Sequence, residues 1–171
     1  MKRISVCFMV FMLLIAAAAC GAPGGNSASA PRESSEAQVP NPIVQFESLD
    51  AAKAALSYTA KIPLALPDGY QEKSCAVIGG DLLEIMYAKG DDALTYRMRP
   101  GDSDVSGDHN SYSIVSEVSV EFGGSDVKAT MRGDGQTIMS TIWEAEGTGY
   151  SLGSLFGLDE AALKKIIESI T

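Results

Sequence analysis

The segment around residue 104 carries the oxygen-rich pattern that comes nearest to a metal site. Asp102, Asp104 and Asp108 are spaced along Asp-Ser-Asp-Val-Ser-Gly-Asp, and alternate oxygen ligands followed by glycine are typical of the start of a calcium-binding loop. The pattern then departs from such a loop, because its twelfth position is Ser113, where a bidentate glutamate is needed. We interpret the segment as a polar connection that uses Asp, Ser and Gly for turn geometry, with a calcium site as the alternative.

Basic side chains on one strand could form a pocket for an anion. Arg97 and Arg99 alternate with apolar residues, so both project from the polar side of a predicted strand, and Lys128 and Arg132 occur in a later strand. Acidic side chains occupy the polar positions of the predicted strand that lies between these two strands in the sequence. Cross-strand ion pairs therefore account for the same residues without a ligand, and the anion pocket is the alternative.

His109 is the only histidine of the chain, so a catalytic Ser-His-Asp site would have to be built around it. It lies in the turn-rich segment, and the sequence contains no Gly-x-Ser-x-Gly nucleophile motif and no phosphate-binding glycine loop. One histidine and the free thiol of Cys75 do not complete a tetrahedral zinc site. We expect neither catalysis nor a cofactor, although His109 stays a candidate for binding a partner.

Aromatic residues late in the chain could line a groove for a partner or an apolar ligand. The candidates are Trp143 and Tyr150, with Tyr70 and Phe156 as further members. Aromatic side chains in sheets belong to the core more often than to a binding groove, so the core is the favoured interpretation. The exposure of these aromatic side chains decides between a core and a binding groove.

The N terminus carries the strongest chemical signal. A basic start, an apolar run over residues 4–15 and four alanines lead to Cys20-Gly21, which is the layout of an export signal. A cysteine in that position resembles the lipobox of bacterial lipoproteins. The resemblance implies that the thiol of Cys20 receives a diacylglyceryl group and that residues 1–19 are removed. Two acyl chains suffice for stable anchoring, so we expect the protein at the extracytoplasmic face of the cell membrane.

The charge of the mature chain restricts its partners. Loss of Lys2 and Arg3 with the signal segment changes the formal net charge from -9 to -11. An acidic chain repels the phosphates of nucleic acids, so we exclude a nucleic-acid partner. The predicted partners are the membrane, through the lipid, and an envelope protein or a small ligand.

A composition change separates a tether from a folded domain. Residues 20–40 comprise the lipidated cysteine and a stretch rich in Gly, Ala, Ser and Pro, which predicts a disordered tether that spans on the order of 25 Å. Residues 41–171 have the apolar content and the length of one domain.

Two helices and a series of strands are predicted within that domain. Ser48 is a favourable N-cap for a short helix over residues 48–56, and Asp159 can cap a closing helix that ends near Glu168. Period-two alternation predicts strands at residues 71–78, 82–89, 94–99, 117–122, 126–132, 137–143 and 150–152. Short glycine-containing turns favour antiparallel pairing. We predict an α+β fold, an antiparallel meander of about six strands with the N-terminal and the C-terminal helix packed on one face.

Several stretches are similar to one known family. They are Phe-Glu-Ser-Leu-Asp-Ala-Ala at 46–52, Pro-Leu-Ala-Leu-Pro-Asp-Gly-Tyr at 63–70, Trp-Glu-Ala-Glu-Gly-Thr-Gly-Tyr at 143–150 and the closing helix. Together they resemble the DUF4367-type extracytoplasmic domains of Gram-positive lipoproteins. Residues 104–112 are also similar to the Ile-Ser-Gly-Asp-Tyr-Asn-x-Tyr stretch of clostridial lipoproteins, with His109 in the place of the usual tyrosine. The resemblance implies a fold and a location, but no activity.

Two functional hypotheses follow from these observations. The first is a noncatalytic, membrane-anchored binding module that displays a sheet face or the loop 101–110 to an envelope component. The alternative is a sensor or carrier of a small or lipidic ligand, which requires a closed apolar cavity of about 300 Å³ or more between sheet and helices.

Overall fold

The fold is described by a computed structural model, which covers residues 41–101 and 104–171. Predictions for residues 1–40, which include the lipidation of Cys20, and for Asp102 fall outside the described residues. Within them, no helix is long and apolar enough to cross a membrane. The elements, in chain order, are β1 (Ile43–Phe46), α1 (Leu49–Ala54), β2 (Gln71–Ile78), β3 (Leu82–Lys89), β4 (Asp92–Pro100), β5 (Ile114–Phe122), β6 (Ser125–Gly133), β7 (Ile138–Ala145), β8 (Thr148–Leu158) and α2 (Glu160–Glu168).

The strands form one antiparallel sheet of eight strands, ordered β1-β2-β3-β4-β8-β7-β6-β5. The predicted α+β class is confirmed, but the prediction of about six strands in one meander is wrong. Two four-stranded meanders are joined where β8 returns to the centre and pairs with β4, as in Met98↔Tyr150. Turn signals in the sequence mark where strands end, but they do not specify which strands pair across a long connection.

The order of the first elements also differs from the prediction. Strand β1 precedes the N-terminal helix and forms an edge of the sheet, and its Ile43 and Val44 are exposed. A four-residue edge strand without a buried face lacks the alternation by which strands are recognised. Helix α1 has the predicted N-cap, because the Ser48 hydroxyl accepts a hydrogen bond from the Ala51 amide at 3.2 Å.

The strand register defines two opposite ends of the sheet. Ile43 pairs with Ile78 at one end, the entry end, where the described chain begins. The opposite end, the far end, contains the starts of β5 and β7 and the end of β8, which meet through the pairs Ile114↔Gly133 and Ile138↔Leu158. Features at the two ends are therefore separated by the length of the strands.

One face of the sheet and both helices enclose the hydrophobic core. Ala52 of α1 joins Leu163, Ile166 and Ile167 of α2 in a single buried cluster with the apolar positions of the strands. The Asp159 side chain caps α2 by accepting a hydrogen bond from the Ala162 amide at 2.7 Å, as its position in the sequence predicts.

A long connection crosses the second face of the sheet. Strand β4 ends near the entry end in the middle of the sheet, whereas β5 begins at the far end on the edge, so the chain between them has to traverse β8, β7 and β6. Residues 104–112 of this connection, the strap, contain Val105, which is buried to 5% exposure. The strap thus gives the second face a partial cover.

Candidate functional site

The strap brings together most of the residues that the sequence proposed for metal or anion binding. The Nε of Arg97 donates to Glu84 at 2.7 Å, and its Nη1 donates to the backbone carbonyl of Ser106. Arg132 pairs with Asp104 at 2.9 Å between Nη2 and Oδ2. Because these charges already have partners in the chain, the geometry favours structural ion pairs over an anion pocket.

The aspartates of the strap organise its own turns. Asp104 accepts hydrogen bonds from the amide of Ser106, at 2.9 Å, and from its hydroxyl. Asp108 accepts hydrogen bonds from the amide of Asn110, at 2.9 Å, and from the hydroxyl of Tyr112. Burial raises the pKa of both carboxyls, but these hydrogen bonds outweigh it, so each pKa lies below its ordinary value.

These contacts support the interpretation of the strap as a polar connection. Each aspartate bonds the residue two positions later, which is the geometry of an Asx turn. Among residues 41–101 and 104–171, no three His, Cys, Asp or Glu side chains are grouped so that they could hold a metal ion. His109 is exposed on the strap, and Arg99 is half-buried on the same face of the sheet as Arg97.

Trp143 and Tyr150 lie in the core. Their rings stack at 5.3 Å between centroids with an interplanar angle of 7°, and the Phe122 ring lies 5.0 Å from that of Tyr150. The two side chains are exposed to only 4% and 1%. The structure therefore favours the core interpretation of both aromatics, and neither is accessible to a partner on the surface.

Leu155 and Phe156, by contrast, are exposed at the far end, to 56% and 62%. The pairs Ser140↔Gly153 and Ile138↔Leu158 show that β8 advances five residues there while β7 advances two. The extra residues of β8 form a bulge that turns two large apolar side chains outward. Leu155 is not recognisable as a surface residue from the sequence, because Leu-Phe at the end of a strand is also what a buried strand contains.

A pocket of about 250 Å³ adjoins this end of the sheet. Apolar side chains of the core face, including Ile114, Met131 and Ile138, line it together with the β6–β7 turn and Glu160 at the start of α2. Ile114 itself is 47% exposed. The far-end patch is defined here as Ile114, Leu155, Phe156 and this pocket.

The surroundings of the far-end patch are acidic. The carboxylate of Asp134, in the β6–β7 turn, accepts hydrogen bonds from the amides of Gln136 and Thr137, each at 2.8 Å. These bonds lower the pKa of Asp134, so it is ionised at neutral pH. The charged residues of the β3–β4 turn, the β6–β7 turn and the β8–α2 junction, all at the far end, are Lys89, Asp91, Asp92, Asp134, Asp159 and Glu160.

A larger cleft of about 720 Å³ lies elsewhere, between residues 65–68 and the outer side of α2. Its lining combines Ala161 and Ala162 with acids and lysines, including Asp68 and Lys165. Charges of both signs give this cleft no preference for a charged ligand. The far-end patch has a clearer chemical character, because exposed apolar side chains coincide there with mostly acidic charged residues.

Comparison with known proteins adds no relative. No protein-family model matches this chain, and searches among curated proteins and solved structures returned no match. The resemblance to DUF4367-type domains stays a prediction, and function has to be inferred from the geometry of the chain itself.

Proposed function

We propose that this chain is a membrane-anchored extracytoplasmic lipoprotein whose domain is a noncatalytic module that binds an envelope protein through the far-end patch. The observation that carries the proposal is the exposure of Leu155 and Phe156 beside an open apolar pocket. Clustered large apolar side chains on a surface are typical of interaction sites, whereas single ones need no explanation. The patch combines both side chains, which adjoin Gly157 and its contact with Thr137 of the pocket lining, with Ile114 at the same end of the sheet.

The position of the patch fits a tethered module. The described chain begins at Asn41, beside the entry end, and the predicted tether and Cys20 precede it in the sequence. A strand of nine residues, such as β5, spans about 30 Å at roughly 3.3 Å per residue. The far-end patch therefore lies the length of a strand away from the point of attachment, where a partner has access.

The sensor or carrier alternative has less support. It requires an apolar cavity between sheet and helices, and aromatic side chains such as Trp143, Tyr150 and Phe122 fill the core face there. The pocket of the far-end patch is open at the sheet end and, at about 250 Å³, lies below the usual size of a ligand site. Its size suits one side chain of a partner better than a whole ligand.

Site-specific photo-crosslinking tests the proposal in the cells that make the protein. The full chain carries p-benzoylphenylalanine in place of Phe156, and the matched control carries it in place of Leu64, which is 69% exposed outside the patch. We expect a discrete crosslinked protein from position 156 and none from position 64. Absence of a crosslink from position 156, or the same product from both positions, would overturn the proposal.

A further inference from the structure

We infer that the partner segment recognised by the far-end patch is a basic apolar peptide, with one large apolar side chain for the pocket and lysine or arginine on either side. This inference rests on the proposed function and specifies the chemistry of the partner. It is carried by three features of the patch: an apolar floor, a fixed apolar rim and an acidic surround.

The floor of the pocket accepts an apolar side chain. Met131 and Ile138 belong to the core face of the sheet, and Ile114 closes the pocket on the edge strand. A volume of about 250 Å³ holds one large side chain and not a folded element. The anchor of the partner is therefore a single residue such as leucine or phenylalanine.

The rim of the patch is preorganised. Gly157 adopts φ +84°, and a Cβ at this position would lie 2.5 Å from the Cβ of Thr137. The backbone of the bulge thus lies directly against the β6–β7 turn, which itself lines the pocket. Leu155 and Phe156 extend from a backbone held by this contact, so a partner loses little free energy in ordering them.

The surround of the patch favours a cation on the partner. Asp134 lies in the turn that lines the pocket, and Glu160 lines it directly, although Lys164 pairs with Glu160 at 2.7 Å. Five of the six charged residues in the β3–β4 turn, the β6–β7 turn and the β8–α2 junction are acidic, with Lys89 as the exception. These acidic residues attract basic residues beside the apolar anchor of a partner, which favours binding.

The negative charge at the far end also argues against two other binding partners for the patch. A second copy of the chain would bring one acidic far end against another, and like charges facing each other oppose association. An anionic lipid surface is repelled for the same reason. A basic segment of another protein is the occupant that the charges favour, and self-association or lipid binding are outcomes that would contradict the inference.

Three labelled peptides test the inference with the purified full chain in nonionic detergent. The first is Gly-Ser-Lys-Lys-Phe-Lys-Lys-Ser-Gly, the second has glutamate in place of each lysine, and the third has alanine in place of phenylalanine. We expect fluorescence anisotropy at low salt to show at least tenfold tighter binding of the first peptide than of either other. Raising the salt concentration to 0.5 M should weaken that binding, because the flanking charges are exposed.

Variants of the protein locate the binding site. Phe156→Ser and, separately, the pair Asp134→Asn with Glu160→Gln should each weaken binding of the first peptide at least fivefold. The matched controls, Leu64→Ser for an exposed apolar residue and Glu117→Gln for an exposed acid, should leave binding unchanged. Circular dichroism verifies that each variant is folded, and Leu155→Gln replaces Phe156→Ser if that variant is not.

The outcomes separate this inference from the proposed function. Equal binding of the basic and acidic peptides, or binding of none, overturns the inference. If position 156 still crosslinks a protein in cells, the proposed function stands and the partner segment has another chemistry. If position 156 crosslinks nothing, both fail together.

Discussion

At the scale of single residues, Gly157 and Trp143 show how local constraints define the patch and the core. Gly157 combines a left-handed backbone with a contact to the β6–β7 turn, and each feature disfavours a side chain at this position. Trp143 is the only tryptophan of the chain and is buried against Tyr150. Both residues allow a direct test by substitution.

Gly157→Ala should lower the free energy of unfolding by about 2–4 kcal/mol, because strain at positive φ and overpacking each cost about 1–3 kcal/mol. Gly80 is the matched control, since its φ is +87° and a Cβ there would meet no atom within 4 Å. Gly80→Ala should therefore cost only the backbone strain, about 1 kcal/mol. Urea unfolding measures both, and equal losses would contradict a tight contact at Gly157.

Trp143→Ala should destabilise the protein by about 3–5 kcal/mol, whereas Trp143→Phe should cost less than half of that loss. The smaller loss is expected because the indole N–H has no hydrogen-bond acceptor in the part of the chain that the structure covers. Urea unfolding followed by circular dichroism measures the two variants. Free quenching of the native tryptophan by acrylamide would instead indicate an exposed groove.

At the scale of elements, the strap is fastened by charged hydrogen bonds, which makes its stability depend on pH. The folded-state pKa values of Asp104 and Asp108 lie below their ordinary values, so the folded chain binds fewer protons than the unfolded chain as the pH falls. The stabilisation is complete above an ordinary pKa of about 3.9 and is lost as the pH falls through the lower folded values.

We therefore expect the stability of the protein to decrease as the pH is lowered below about 4, and Asp108→Asn to reduce this dependence. The same variant should lower stability at pH 6, because an amide accepts weaker hydrogen bonds than a carboxylate. Urea unfolding between pH 2 and pH 6 measures both effects. Asp126→Asn, near the start of β6 and outside the strap, is the control, and an identical profile for both variants would refute the role of Asp108.

The elements also show what the sequence could predict. Period-two alternation located β2 and β3 at their observed bounds, and the N-caps of both helices are confirmed, because all of these signals are local. The β4–β8 pairing was not predictable, since local sequence signals do not specify which strand edge β8 pairs with. The exposure of Leu155 and Phe156 was equally hidden, because it results from the bulge in β8, which the local sequence does not mark. The tight turns that hold Asp104 and Asp108 were anticipated from residue type alone.

At the scale of the whole molecule, the proposed anchor determines where the domain acts. Cys20→Ser should remove the mass of the diacylglyceryl group and leave either the uncleaved precursor or a chain released from the membrane fraction, because the two acyl chains cannot be attached. Fractionation followed by intact-mass measurement detects both changes. Cys75→Ala is the control, since Cys75 is a buried core residue and should leave anchoring intact. Normal retention and mass for Cys20→Ser would exclude the lipid anchor.

The return of β8 to the middle of the sheet has a consequence for how the protein is made. Synthesis delivers the N-terminal meander first, so β4 has an unpaired edge until residues 148–154 emerge and pair with it. Closing a contact between strands so distant in sequence is slow, and nascent chains with open edges tend to pair with one another. The strong acidity of the chain opposes such pairing by mutual repulsion. The negative charge of the chain thereby opposes association between incomplete sheets until β8 pairs with β4.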